Sequence, residues 1–133
     1  MGKLESNKLQ KRTSLLNTAF NLFTTKGVSK TSIAEISKNA GIAKGTFYLY
    51  FKDKYDLRDK LIAFKASQLF DDAHKALDAA VIPDFEEEIL FVTDYIIERF
   101  QNQQGLMKFL SKNLSWGVFQ DAVGTGSLVS QKF

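Results

Sequence analysis

The chain has 133 residues, of which 44% are hydrophobic and 25% are charged, and its formal net charge is +3. These values are typical of a folded globular protein with one domain, or one domain and part of a second, and they exclude a disordered chain. The absence of cysteine excludes disulfides, thiolate metal sites and cysteine nucleophiles, and a single histidine argues against a zinc site.

The first predicted helix covers roughly residues 7 to 26. Its apolar side chains recur at steps of three and four and form one stripe, made of Leu15, Leu16, Ala19, Phe20, Leu22 and Phe23. Lys26 and Gly27 are predicted to end this helix, because a cation suits the carbonyl end and glycine tolerates a positive φ.

Two short helices follow. Ser32 and Glu35 form a capping box, in which the Ser32 hydroxyl accepts a first-turn N–H and Glu35 reaches back. This helix ends at Gly41, which permits a sharp turn, and the next helix opens near Lys44. The pair predicts a helix-turn-helix, whose second helix presents its N-terminal residues to base edges in the major groove. Gly45 would let the backbone approach DNA closely.

Three longer helices are predicted in the second half. Asp53 caps a fourth helix that extends toward Ala80, and Asp84 caps a fifth. The apolar stripe of the fifth helix is interpreted as core and consists of Phe85, Ile89, Val92, Ile96 and Phe100. Gly105 is predicted to end that helix. A sixth helix is predicted to follow and to continue as far as Val123. No run of strand periodicity occurs, so the fold class is all-α.

Charge is divided unevenly along the chain. Residues 1–60 contain 12 basic and 5 acidic side chains, and residues 61–133 contain 6 basic and 10 acidic ones. A basic half joined to an acidic half indicates that the first half meets a polyanion. On charge alone, a solvated surface with chance asymmetry is an equal alternative.

Targeting signals are not found in the sequence. The N-terminus has no apolar core of a signal peptide, and no apolar run approaches the roughly 20 residues of a membrane span. We therefore expect a cytoplasmic protein, without membrane contact, metal or cofactor.

Four segments resemble the TetR family of transcriptional regulators. They are AFNLF (19–23), TSIAEIS (31–37), AGIAKGTFYLYF (40–51) and KYDL (54–57), with Gly27 between the first two. The resemblance covers most of residues 10–60 in unbroken register, and beyond residue 65 it rests on the helix pattern. It implies a three-helix DNA-binding bundle with a helix-turn-helix (residues 1–54), joined by a long fourth helix to a helical ligand-binding and dimerisation domain (55–133).

The resemblance also implies the DNA contacts. Lys44, Gly45 and Thr46 match positions where the recognition helix meets bases and phosphates, and Ser32, Tyr48 and Lys54 match phosphate contacts. Phe47 and Phe51 are interpreted as core aromatics, and Tyr48 is not.

Three positions depart from the family pattern. Ala43 stands where a capping serine is common, so we expect the recognition helix to have no side-chain N-cap. Leu49 replaces a residue that is often polar or aromatic, and it could offer an apolar contact to a thymine methyl. Tyr50 stands where histidine is common and can still donate to a phosphate.

For the second half, the resemblance implies a pocket for a small hydrophobic effector and a homodimer interface. The candidate pocket residues, each of which taken alone is more readily interpreted as core, are Phe64, Tyr95, Met107, Phe109, Trp116 and Phe119. Family members are usually longer, so we expect either that this domain is incomplete or that dimerisation uses other surfaces, such as the 106–123 segment.

Three functions are weighed. The first is a repressor that leaves a palindromic operator when it binds an effector. In the second, the DNA-binding module carries a protein-interaction or architectural second half without an effector. The third is an enzyme that uses His74 as a base or metal ligand, and it is disfavoured because His74 lies in an acidic helix without a glycine-rich phosphate loop.

Overall fold

A computed structural model describes residues 2–113, and all secondary structure in this part of the chain is helical. The helices are α1 (Lys3–Lys26), α2 (Ile33–Ala40), α3 (Lys44–Tyr50), α4 (Lys54–Ala80), α5 (Phe85–Asn102) and α6 (Gln104–Asn113). The chain divides into two compact units, Met1–Leu61 and a second that starts at Ile62, so the first turns of α4 belong with α1 to α3.

The first unit is built around a small apolar core. Helix α1 packs against α2, and α2 packs against α3. The buried side chains come from all four helices and from the residue that follows α3: Leu15, Leu16, Ala19, Phe23, Ile36, Phe47, Phe51, Leu57 and Leu61. The predicted stripe of α1 and the core assignment of Phe47 and Phe51 are thus confirmed. This core holds the two short helices, which are too short to be stable alone.

The second unit contains most of α4, together with α5 and α6, and α5 packs against α6. Up to Asn113, where the described part of this unit ends, its buried apolar side chains lie on α4 and α6 and are Ile62, Leu69, Ala73, Leu77, Leu106, Phe109 and Leu110. Among the described residues, no helix is both long enough and apolar enough to cross a membrane.

Helix boundaries differ from the sequence predictions in two places. Helix α1 begins at Lys3, four residues before the predicted start, and residues 2–11 are exposed. Good helix formers extend it beyond the apolar stripe that defined the prediction. Helix α5 ends at Asn102 and not at Gly105, because the backbone of Gln103 leaves the helical conformation, with φ −128° and ψ 74°. Gly105 instead lies in the first turn of α6.

The interpretation of the α5 stripe as core was wrong. No residue of α5 is buried, and Phe85 and Ile89 have 56% and 41% of their surface exposed. Periodicity identified the helix and its apolar face correctly, but it does not tell what covers that face. The predicted extension of α6 to Val123 lies outside the described residues.

Candidate nucleic-acid interface

A sharp turn joins α2 to α3. Gly41 has φ 72° and ψ 32°, the left-handed conformation that glycine tolerates best. Its N–H donates to the Lys38 carbonyl, and the Ile42 N–H donates to the Ser37 carbonyl at 2.9 Å. These bonds satisfy the last carbonyls of α2 and redirect the chain into α3, as a helix-turn-helix requires.

The N-terminus of α2 is capped by Ser32. Its Oγ accepts the Glu35 N–H at 3.0 Å, so the predicted cap is confirmed. The second half of the capping box is not formed, because the Glu35 carboxylate pairs with the Lys26 ammonium at 2.7 Å. The remaining first-turn N–H groups of α2 make this helix end suited to an anion.

An open groove of about 510 Å³ lies at this helix end. It contains four of the residues assigned to DNA by resemblance, which are Ser32, Lys44, Tyr48 and Lys54. The groove thus brings together residues from the start of α2, from α3 and from the start of α4. The same groove is also lined by Lys30 and Tyr55, which the resemblance did not assign to DNA.

Helix α3 presents one face to solvent. Lys44 and Gly45 are exposed, and the exposed fractions of Tyr48 and Leu49 are 51% and 79%. Phe47 is fully buried beneath this face. The exposure of Tyr48 confirms that it is not a core aromatic. Thr46 and Tyr50, the other two assigned residues, are half-buried.

The N-terminus of α3 has no side-chain cap, as expected from Ala43. The first helical bonds run from the N–H groups of Thr46 and Phe47 to the Ala43 carbonyl. Unpaired N–H groups of the first turn, together with the Lys44 ammonium, make this end of α3 attractive to a phosphate.

For Lys54, the first residue of α4, the resemblance implies a phosphate contact. Within the protein, its ammonium binds backbone carbonyls. Its ammonium donates to the carbonyls of Val28 and Thr31 at 2.9 Å each, and to that of Ser29 at 3.3 Å. The Tyr55 ring lies between two cations, with Lys54 Nζ 5.4 Å and the Arg58 guanidinium 5.3 Å from its centroid.

The start of α4 is held by two carboxylates. Asp53 Oδ1 accepts the N–H groups of Tyr55 and Asp56, which confirms the predicted cap, and Asp56 Oδ2 accepts the Lys52 N–H at 2.9 Å. Partial burial raises the pKa of Asp56, but the Lys52 N–H and the Lys60 ammonium outweigh this effect and leave the pKa below its ordinary value.

The candidate pocket residues of the second half differ in how much of their surface is exposed. Phe109 is buried, Phe64 and Tyr95 are half-buried, and Met107 is 39% exposed. An open groove of about 220 Å³ beside α5 includes Tyr95 but not the other three. Trp116 and Phe119 lie outside the described residues.

Polar contacts surround Tyr95. The Arg99 guanidinium donates to Tyr95 Oη at 2.7 Å and to Asp72 Oδ2 at 3.1 Å. Burial lowers the pKa of Arg99, but these two bonds outweigh it and raise the pKa. The groove beside Tyr95 is therefore more polar than a site for an apolar ligand is expected to be.

His74 is half-buried on α4. Its Nε2 lies 3.3 Å from Asp78 Oδ2, and within the described part of the chain its buried Nδ1 has no hydrogen-bond partner. No group of three metal-ligating side chains is found among residues 2–113.

Comparison with known proteins places residues 15–61 in a family described as bacterial regulatory proteins, tetR family. The transcriptional regulator AcrR of Shigella flexneri is 37% identical over 67 residues, which are 50% of this chain and 31% of AcrR. The transcriptional repressor KstR2 of Mycolicibacterium smegmatis is 28% identical over 111 residues, 83% of this chain and 54% of KstR2. The chain thus spans just under a third of AcrR and about half of KstR2.

The fold also matches solved structures. A TetR family transcription regulator from Marinobacter aquaeolei VT8 superimposes with a TM-score of 0.76 and 18% sequence identity, over 90% of this chain and 64% of that one. The similarity shows a shared helical fold. The relatives found are described as transcriptional regulators, and none of the names points to catalysis.

Proposed function

We propose that this chain represses transcription from a palindromic operator and is released by a small hydrophobic effector. Its residues 15–61 match the tetR family of bacterial regulatory proteins. The observation that carries the proposal is the groove at the α2 N-terminus, where Ser32, Lys44 and Tyr48 meet beside the exposed face of α3. Two helix ends, a lysine and a phenol give this surface several donors for phosphate oxygens.

In this proposal the groove binds phosphates and α3 reads bases. Ser32, Lys44 and Tyr48 fix the position of the protein on the DNA backbone, and Tyr50 adds a further phosphate contact. The base edges of the major groove are met by Lys44, Gly45, Thr46 and Leu49. Leu49 has no polar atom in its side chain, so its partner would be the methyl group of a thymine.

A palindromic operator needs two reading helices. Helix-turn-helix proteins bind half-sites about 34–36 Å apart, or a multiple of that distance, through a symmetric dimer. We therefore propose a homodimer. Exposed apolar side chains of α5, among them Phe85, Leu90 and Ile97, are 49–62% exposed and support a protein contact in the second unit.

An effector would act through α4, because this helix begins at Lys54 in the first unit and ends at Ala80 in the second. A ligand that binds better to the form with the wrong half-site spacing would shift the population away from DNA. The candidate pocket residues remain the six named above. Of these, Phe64 and Tyr95 are half-buried.

A second candidate function keeps the DNA-binding module and makes the second half a protein-interaction or architectural element. Two observations favour it: the apolar face of α5 is exposed, and the groove beside Tyr95 is open and polar. The two candidates differ in one measurable way, since only the first predicts that small apolar compounds release the protein from DNA.

The test is selection of duplexes from a random library by the full chain, followed by binding measurements on the enriched sequence. We expect a palindromic motif, and we expect Lys44→Met to weaken binding while leaving the melting temperature unchanged. Lys108→Met is the matched control, because Lys108 is an exposed lysine of α6 in the second unit. No enriched motif, or equal binding by Lys44→Met and wild type, would contradict the proposal.

A further inference from the structure

We infer that Lys54 is a positioning residue: it ties the start of α4 to the segment that leads into α2, and it acts on DNA through the α2 N-terminus. The inference rests on the proposed function, since it concerns the same groove. It replaces the phosphate contact that sequence resemblance implies for this lysine.

The hydrogen bonds of the Lys54 ammonium carry the inference. An ammonium has three N–H donors and no acceptor. The carbonyls of Val28, Ser29 and Thr31 supply three acceptors at 2.9, 3.3 and 2.9 Å. All three donors are thus used within the protein, and a phosphate oxygen would have to displace one of these carbonyls.

The dipole of helix α4 also favours a positioning role for Lys54. Lys54 is the first residue of α4, where a cation opposes the positive end of the helix dipole. The carbonyl cluster offsets this cost, because three C=O dipoles point at the ammonium. A lysine that served only to attract phosphate would need no such cluster.

The tied segment leads directly into the proposed phosphate site. Thr31 is buried, its Oγ1 donates to the Gly27 carbonyl at 2.7 Å, and its N–H donates to the Val28 carbonyl at 3.2 Å. The next residue is Ser32, whose Oγ caps α2 through the Glu35 N–H. Movement of the Thr31 carbonyl would therefore move the cap and the first turn of α2.

The dependence of DNA affinity on salt separates a positioning role from a phosphate contact. Each lysine–phosphate contact contributes about 0.9 to the slope of log affinity against log salt. The experiment uses the full chain and a fluorescein-labelled duplex of random sequence, and it compares wild type with Lys54→Met, Lys44→Met and Lys108→Met.

We expect Lys54→Met to reduce affinity roughly three- to tenfold, because a smaller fraction of the protein holds a competent α2 N-terminus. The salt slope of this variant should change by less than half as much as that of Lys44→Met, and Lys108→Met should behave as wild type. A slope that falls as much for Lys54→Met as for Lys44→Met would overturn the inference.

A double-mutant cycle tests the route through α2. If Lys54 acts by holding the Ser32 cap, Ser32→Ala should cost less affinity in the Lys54→Met protein than in wild type. Amide hydrogen exchange of Thr31 and Glu35 should also be faster in DNA-free Lys54→Met. Additive affinity losses with unchanged exchange would contradict the proposed coupling.

A measurement on the wild-type protein keeps the inference testable if Lys54→Met does not fold. The NMR signal of the Lys54 ammonium should shift less on adding the duplex than that of Lys44, and the reverse order would overturn the inference. Failure of the proposed function has a different signature. In that case wild type does not bind the duplex, while the exchange difference at Thr31 and Glu35 persists.

Discussion

The Lys26 ammonium lies 2.7 Å from Oε2 and 2.9 Å from Oε1 of Glu35, and it joins the last residue of α1 to the first turn of α2. Each charge suits its own helix end, since a cation favours the C-terminus and a carboxylate the N-terminus. The pair lies next to the segment that Lys54 ties to α4. Both α1 and α4 are therefore anchored near the start of α2.

This ion pair should contribute modestly to stability. Its side chains are 40% and 31% exposed, and partly exposed pairs contribute about 0.2–1 kcal/mol. A cycle of Lys26→Met, Glu35→Gln and the double variant, followed by urea unfolding, should give a coupling in this range that decreases at high salt. A coupling of zero would mean that the pair is not held in solution.

The Tyr48 hydroxyl should matter for DNA binding and not for folding. Because the ring is half exposed and lines the groove, Tyr48→Phe removes a phosphate donor without opening a cavity. We expect affinity to fall about tenfold and the melting temperature to stay constant, as measured by anisotropy and calorimetry. Tyr95→Phe, which removes a hydroxyl in the second unit, is the control for DNA affinity alone, because that hydroxyl accepts a bond from Arg99. Unchanged affinity of Tyr48→Phe would remove this residue from the interface.

Leu49 should recognise a thymine methyl. With 79% of its surface exposed on α3, this side chain is available to a base edge. Replacing thymine by uracil at each position of the selected operator removes the methyl and leaves the hydrogen bonds. We expect the uracil substitution at one position to weaken binding by the wild-type protein and to leave binding by Leu49→Ala unchanged. If the uracil substitution weakens DNA binding by both proteins equally at every position, Leu49 does not make this contact.

Two glycines should respond oppositely to alanine. Gly41→Ala forces a side chain into the left-handed conformation and should cost about 1–2 kcal/mol of unfolding free energy. Gly45 lies in α3 with open space around it, so Gly45→Ala should stabilise the helix by roughly 0.5–1 kcal/mol. The same Gly45 variant should bind DNA more weakly if the backbone approaches the duplex closely. Stronger or equal binding would argue against that approach.

Stability should depend on pH through Asp56. Its folded-state pKa is lowered, so its contribution is present above the unfolded-state pKa of about 4 and is lost as the pH falls through the folded-state value. At neutral pH, Asp56→Asn should therefore reduce the unfolding free energy, by roughly 0.5 kcal/mol because the carboxylate is partly screened by water. The difference from wild type should vanish in strong acid, and a difference that grows there would contradict the assignment.

Local signals in the sequence were enough to predict most helix ends of the first unit. The caps at Ser32 and Asp53 and the turn at Gly41 involve groups no more than about four residues apart, so each is readable without knowledge of the fold. The dense resemblance over residues 10–60 then predicted that α3 is the reading helix. The second half has fewer signals of this kind, and the burial of its α5 stripe was predicted wrongly because periodicity does not specify what covers an apolar face.

The sequence by itself thus determined the all-α class and the helix-turn-helix, because these depend on short-range backbone chemistry. The candidate reading residues were predicted from the family resemblance. Only the tertiary structure decided which partner each charged side chain takes. Glu35 is paired with Lys26 and not with its own helix cap, and Lys54 reaches carbonyls 23 to 26 residues away in the chain. Such choices depend on distances between helices, and packing of the core around Phe47 and Leu57 sets those distances.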